Sequence, residues 1–376
     1  MIRTLFVFGT RPEAIKMCPV VHHLRSLPGQ FHVRVCVTGQ HRMMLDQVLA
    51  AFNVVPDYDL NLMTPGQTLA ESTSRILAAL DQVMVDQAHD LVMVQGDTTT
   101  TLGGALAAFY RHIPVGHIEA GLRTWDLRQP FPEEMNRVVA SRLASLHFAP
   151  TEGAASNLKR EGVPDAQIHV TGNTGIDAVL WVRDALEAGR LQGGEWPHLD
   201  ALDASRKLIV VTAHRRESFG EGFERICQAL IRLARRPDVQ IVYPVHRNPN
   251  VIDPVQRWLA GEPNILLIEP LEYVQFVDLM RRAYLLLTDS GGIQEEGPSL
   301  GKPVLVMRET TERPEAVEAG TAVLVGTDPE RIYNQASTLL ESRQIYESMA
   351  RIHNPYGDGK ASLRIAKVTA DHFKTH

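Results

Sequence analysis

Carboxylates, cations and glycine turns recur in this chain at one kind of place, directly after a short apolar run. Phe6-Val7-Phe8 runs into Gly9-Thr10-Arg11-Pro12-Glu13-Ala14-Ile15-Lys16, which sets two cations, Arg11 and Lys16, behind a glycine turn. Leu91-Val92-Met93-Val94 runs into Gln95-Gly96-Asp97, and Val115-Gly116-His117-Ile118 into Glu119. Leu208-Ile209-Val210-Val211 leads to His214-Arg215-Arg216-Glu217, and Leu285-Leu286-Leu287-Thr288 to Asp289-Ser290-Gly291-Gly292. Asp97, Glu119 and Glu133 have the chemistry of an acid–base set, because like charge and desolvation raise a carboxyl pKa into a working range. Taken singly, Asp97 reads equally as an N-cap for a helix from Thr98, and Glu133 as first-turn helix decoration.

The turn 289–292 offers a different chemistry. Glycines let the backbone approach a ligand, and unpaired N–H groups at a helix start attract phosphate. An ordinary tight strand–helix turn is the plain alternative. Glu296 is placed to accept both hydroxyls of a ribose, and Arg313 to hold a phosphate oxygen. His214 and His246 are strand-end histidines, the second suited to an anion; a helix-capping or core histidine is the plain alternative for His214. Other chemistries are excluded by spacing. Gly9 to Lys16 is not a Walker loop, and no G-x-G-x-x-G follows the first strand, so a tightly held NAD is not expected. His117-Ile118-Glu119 has the H-x-E of a zinc deaminase but no P-C-x-x-C partner, so no metal is expected.

These residues need strand ends to position them. Apolar runs at 4–8, 33–37, 91–94, 114–118 and 146–149 alternate with helical patterns such as 69–87 and 99–111. A turn-rich break at Thr171-Gly172-Asn173-Thr174-Gly175 follows, then a helical run near 176–189 and a polar stretch at 189–206. A second series has strands at 208–212, 240–244, 265–268, 284–288, 303–306 and 321–325. The alternation predicts an α/β chain with parallel sheets. In such sheets ligands bind outside the carboxyl ends of the strands. We therefore expect two Rossmann-like domains with parallel sheets facing a central cleft, residues 1–172 and 173–359. The terminal helix 360–376 is expected to rejoin the first domain.

Composition sets bounds. At 376 residues the chain exceeds the ~250–300 at which single cores stop growing. The net charge of −6 gives no reason to expect nucleic acid or an anionic membrane as partner. No apolar run reaches the ~18 residues of a membrane span, and the N-terminus does not read as a signal peptide. Three cysteines, far apart, suit a reducing cytoplasm and neither a disulfide framework nor a cysteine zinc site.

The motifs together resemble the non-hydrolysing UDP-N-acetylglucosamine 2-epimerases of bacteria. The carriers are Gly9-Thr-Arg-Pro-Glu-Ala-Ile-Lys16, Gly96-Asp-Thr-Thr-Thr-Thr101, His117-Ile-Glu-Ala-Gly-Leu-Arg123 and Pro132-Glu-Glu-Met-Asn-Arg137. They continue with His214-Arg-Arg-Glu217, Thr288-Asp-Ser-Gly-Gly-Ile-Gln-Glu-Glu296, Gly301-Lys-Pro303, Thr311-Glu-Arg-Pro-Glu315 and Asn354-Pro-Tyr-Gly-Asp-Gly359. The resemblance implies a GT-B-like fold, a homodimer, no cofactor, and interconversion of UDP-GlcNAc and UDP-ManNAc by anti elimination of UDP. It implies a catalytic set of Asp97, Glu119, Glu133 and His214. By the same match Arg11 and Lys16 bind substrate, Ser290, Gly291 and Gly292 form the diphosphate turn, Glu296 contacts ribose, Arg313 contacts the nucleotide and Phe276 packs near uracil. Leu271 stands where some relatives have Gln, so only a backbone contact carries over. Gln40, Glu133, Arg215 and His246 match a second, allosteric UDP-GlcNAc site of some members. Met43 and Gly66 replace a polar and a basic residue of that site, so weakened or absent activation is expected. The competing functions are a GT-B glycosyltransferase using a UDP-sugar, a hydrolysing epimerase releasing ManNAc and UDP, and a non-catalytic sensor.

Overall fold

The computed structural model describes residues 1–39, 42–64, 66–193, 200, 202–351 and 353–375. Gln40, and residues 194–199 and 201 of the polar stretch, lie outside them. The chain forms two compact units. Unit 1 comprises Met1–Ala178 with Gly357–His376, and unit 2 comprises Val179–Tyr356. The helix Thr174–Glu187 carries the chain out of unit 1.

Unit 1 is built on β1 (Ile2–Phe8), β2 (Phe31–Val37), β3 (Tyr58–Asp59), β4 (Leu91–Gln95), β5 (Val115–Ile118), β6 (Leu146–Ala149) and β7 (Ile168–Val170). They form one sheet in the order β3-β2-β1-β4-β5-β6-β7, with every pair parallel. Unit 2 holds β8 (Lys207–Thr212), β9 (Val239–Pro244), β10 (Ile265–Ile268), β11 (Leu285–Thr288), β12 (Val304–Val306) and β13 (Ala322–Leu324). Its sheet runs β10-β9-β8-β11-β12-β13, again all parallel. Strand order reverses between β1 and β4, and between β8 and β11. Those are the points where a doubly wound sheet opens a crevice beyond its strand ends.

Several inner strands are buried along their whole length. Every residue of β4, β5, β6 and β11 is buried, which is why they read as continuous apolar runs rather than alternating ones. Leu5, Val7, Val92, Val94, Ile76 and Leu80 meet in one core of unit 1. Ile209, Val211, Leu230, Tyr243, Leu285 and Leu305 meet in that of unit 2. Truncating such a residue to alanine costs about 2–5 kcal/mol. Two strands escaped the sequence reading. β3 and β7 are the sheet edges, two and three residues long, too short for a periodic pattern. The terminal helix Ala361–Thr375 packs on the helix Arg11–Arg25 of unit 1, and Asp177 accepts the backbone N–H groups of Ala361 and Ser362 at its start.

Candidate active site

In unit 1 the reversal point collects charge. Parallel register brings the ends of β4 and β5 level, and the Gly96 N–H donates to the Ile118 carbonyl at 2.9 Å. Gly96 takes φ +71°, a left-handed turn that suits glycine. Glu119 adopts φ +62° just past β5, a conformation costing a non-glycine residue roughly 1–2 kcal/mol. Its carboxylate is held at both oxygens, by Lys16 Nζ on Oε1 and by the Gln95 amide on Oε2.

Asp97 is not the helix cap. Thr98 caps the helix Thr99–Tyr110, its hydroxyl accepting from the Thr101 N–H at 3.1 Å. The Asp97 carboxylate is thereby left for other contacts, and Arg137 Nη2 stands 2.8 Å from its Oδ2. Burial pushes its pKa up to about 6; Arg137 and Lys16 oppose that rise, while Glu119 and Glu133 add to it. Glu133 opens the helix Glu133–Leu143 and keeps one buried carboxylate oxygen without a hydrogen-bond partner. The same helix supplies Arg137 and Asn136, whose amide donates to the Asp97 carbonyl at 2.9 Å. Asp97, Glu119, Glu133 and Lys16 thus share one electrostatic neighbourhood.

The Gly9–Lys16 motif has a second function that its spacing did not reveal. Glu13 is buried and accepts from the N–H groups of Gly9 and Thr10 at 3.0 and 2.7 Å and from the Thr98 hydroxyl at 2.6 Å. It ties the turn after β1 to the turn after β4. Burial raises its pKa despite those bonds. A Cβ at position 9 would stand 2.0 Å from the Thr38 hydroxyl, so glycine is required there. Arg11 begins the helix, half-buried. His117 is fully buried, with Nε2 2.7 Å from the Gly96 carbonyl, and burial pushes its pKa down to about 3. It is a neutral core histidine.

The reversal point of unit 2 is arranged otherwise. The helix Gly291–Ser299 starts from Ser290, whose side chain makes no capping bond. Its first N–H groups therefore have no side-chain cap. Arg313 stands over this start, since a Cβ on Gly291 would lie 3.6 Å from the guanidinium carbon, and it pairs with Glu295 one turn along the helix. Glu296 is half-buried beside Glu295. His214, past β8, has Nδ1 3.1 Å from Asp289 Oδ1, past β11. His246, past β9, stacks on the His214 ring with centroids 5.6 Å apart. A cavity of about 340 Å³ opens on His214, Arg215, Arg216 and Glu217. Arg215 donates its N–H to Asp289 Oδ2 at 2.7 Å, and its Nε is buried without a hydrogen-bond partner. Leu271 and Phe276 follow β10, at the edge of the sheet and three places from β11, both half-buried.

The sequence reading passed over Asp289, Arg137, Gln95 and Glu13. Each lies within a turn or motif already singled out, so position gave a signal, but partnership across strands is not visible in linear spacing. Among the described residues no group of three or more His, Cys, Asp or Glu could hold a metal ion, and no helix is long and apolar enough to cross a membrane.

The family model for UDP-N-acetylglucosamine 2-epimerase matches residues 24–370. The chain belongs to that family. It is 59% identical over 369 residues to the UDP-N-acetylglucosamine 2-epimerase of Salmonella typhimurium, covering 98% of each chain. Among solved structures it resembles the UDP-GlcNAc 2-epimerase of Neisseria meningitidis bound to UDP-GlcNAc, with 48% identity, a TM-score of 0.86 and all of both chains covered. It also resembles the Methanocaldococcus jannaschii UDP-GlcNAc 2-epimerase in complex with UDP-GlcNAc and UDP. That match has 32% identity and a TM-score of 0.76, covering 98% of this chain and 100% of the other. Family members thus carry UDP-GlcNAc 2-epimerase activity by name, and some have been seen with the substrate.

Proposed function

We propose that the chain reversibly epimerises UDP-GlcNAc to UDP-ManNAc by eliminating UDP and adding it back. The observation that carries this reading is the carboxylate cluster of unit 1, in which burial pushes the Asp97 pKa up to about 6 beside Glu119 and Glu133. The C2 hydrogen of the sugar is not next to a carbonyl, so plain deprotonation is too costly. When the C1–O bond to the diphosphate breaks, positive charge builds at C1 and acidifies C2–H. A carboxylate takes that proton and the electron pair becomes the C1=C2 bond of 2-acetamidoglucal. In the return step a diphosphate oxygen of UDP attacks C1 and a proton is delivered to the opposite face of C2. Two faces call for more than one acid–base group, and a carboxyl near pH 6 both gives and takes a proton at neutral pH.

Unit 2 serves the leaving group. The uncapped start at Ser290-Gly291-Gly292, Arg313 and His214 stabilise charge developing on the diphosphate. Glu296 accepts from the ribose, and Leu271 and Phe276 lie against the base. Arg11 and Lys16 supply positive charge from unit 1. Holding both fragments makes re-addition effectively unimolecular. The product supplies ManNAc units for a surface polysaccharide, and the working form is a homodimer. An allosteric second UDP-GlcNAc, on Gln40, Glu133, Arg215 and His246, acts weakly at most, because Met43 and Gly66 offer no polar side chain. Product analysis tests the reading. Purified protein with UDP-GlcNAc and no added cofactor should give UDP-ManNAc, with traces of UDP and 2-acetamidoglucal after long incubation. Stoichiometric free ManNAc and UDP would instead assign hydrolysis, and an unchanged, bound substrate a glycosyltransferase or sensor.

A further inference from the structure

Asp289 is fully buried at the end of β11, and a buried carboxylate without partners would be costly. Its partners all belong to the turn after β8. Oδ2 accepts the backbone N–H groups of His214 at 2.6 Å and Arg215 at 2.7 Å. Oδ1 makes no hydrogen bond of good geometry, but lies 3.1 Å from Nδ1 of the His214 ring, within ion-pair reach. Burial alone would raise the Asp289 pKa, but His214 and the two N–H groups outweigh it and the net shift is downward. Arg216 and Glu217 share the cavity of this turn, and Glu217 pairs with Arg308. Tyr243 of β9 donates its hydroxyl to the Ala213 carbonyl at 2.9 Å, and burial raises its pKa, so it stays neutral. His246 is stacked on His214 and accepts the Asn248 N–H on Nδ1 at 3.1 Å. Arg215 brings its guanidinium to the same turn.

We propose that Asp289 is the positioning residue for His214: it fixes the proton on Nδ1 and presents Nε2 to the substrate beside the departing diphosphate. The reasoning is geometric. An ionised carboxylate accepts only, and a bare nitrogen lone pair 3.1 Å from Oδ1 would repel it, so the ring nitrogen facing Oδ1 carries the hydrogen and Nε2 is left as the acceptor of the neutral ring. The two backbone N–H groups occupy Oδ2 and prevent the carboxylate from rotating away. The stack with His246 holds the ring plane. His214 remains 38% exposed, so Nε2 is reachable.

This rests on the epimerase reading for its kinetic consequence, though not for its tautomer. Asp289→Asn is the informative substitution. The two backbone donors require an oxygen at the Oδ2 position, so the amide nitrogen must take the place of Oδ1. It then donates to Nδ1, and the ring proton moves to Nε2. A comparable exchange behind a catalytic histidine lowers rates by up to ~10⁴-fold. Here His214 is one contributor among several, and we expect kcat to fall by about 10–100-fold. UDP affinity should stay within about threefold. In a His214→Asn background the same substitution should add no more than about twofold, since both changes remove one unit. A fall in kcat with a parallel loss of UDP binding, or losses that multiply, would assign Asp289 to structure alone and overturn the proposal. Should Asp289→Asn fail to fold, ¹⁵N NMR of histidine-labelled wild-type protein decides, with His214 assigned by difference from His214→Asn. A neutral ring protonated at Nδ1 supports the proposal, and one protonated at Nε2 overturns it. That measurement stands even if the wild type makes no UDP-ManNAc, an outcome that would defeat the epimerase reading separately.

Discussion

The two reversal points of this molecule share one topology and differ in how their helix starts are closed. In unit 1 the helix after β1 is sealed by a capping box, with Thr10 and Glu13 satisfying each other's backbone N–H groups, and the helix after β4 is sealed by Thr98. In unit 2 the helix after β11 begins on glycines with no side-chain cap. A sealed helix start has little left to offer an anion, so the charge at that end of unit 1 belongs to Asp97, Glu119 and Glu133. An unsealed one keeps N–H groups and dipole available for phosphate. In the proposed function the same doubly wound scaffold serves proton transfer at one switch point and anion binding at the other. The difference lies in a handful of turn residues rather than in the sheets.

That contrast is open to direct attack. The largest effect expected is on Asp97→Asn, which removes a proton-transfer group while leaving unit 2 intact. kcat should fall by about 10²–10⁴-fold, with UDP affinity by calorimetry little changed. Equal losses in rate and UDP binding would erase the division of labour. Arg313→Ala should do the reverse. UDP binding should weaken by roughly tenfold to a hundredfold, since a hydrogen bond to a charged group is worth about 1.5–3 kcal/mol, while C2 exchange at saturating substrate falls much less.

A third prediction concerns stability and its sign. The folded pKa of Asp97 is raised to about 6 from 3.8, so between those values the folded state binds more protons than the unfolded state. Stability therefore declines as pH rises through that window and is flat above it. Asp97→Asn should be more stable than wild type at pH 8, by on the order of 1–2 kcal/mol after allowance for solvent screening, read as a higher melting temperature. The gain should vanish near pH 4. A variant less stable than wild type at pH 8 would mean that the Arg137 pair dominates instead. The smallest effect is regulatory: initial rate against UDP-GlcNAc should be close to hyperbolic. A strongly sigmoidal curve that loses its shape in Gln40→Ala would show that the second-site activation survives Met43 and Gly66.

Much of the architecture was legible because the inner strands are buried on both faces and so appear as unbroken apolar runs. Leu91 to Val94 and Leu285 to Thr288 could be read with nothing but composition and length. β3 and β7 could not, because an edge strand of two or three residues is fixed by its neighbour rather than by its own pattern. At the candidate site, residue types at strand ends were visible, whereas partnership was not. Asp97 looked like a cap until Thr98 was seen to fill that place. In the sequence Asp289 stands out only as part of a glycine turn, yet its carboxylate reaches a histidine 75 residues away. Arg137 and Glu13 tell the same story. Hydrogen bonds across strands depend on register, and register comes from the whole sheet.

The most direct test of the central claim is ¹H NMR of the protein with UDP-GlcNAc in D₂O, with no cofactor added. The account predicts deuterium entering C2 of the sugar as UDP-ManNAc appears, with both abolished in Asp97→Asn and UDP still bound. UDP-ManNAc formed with hydrogen retained at C2, or exchange undiminished in Asp97→Asn, would contradict it.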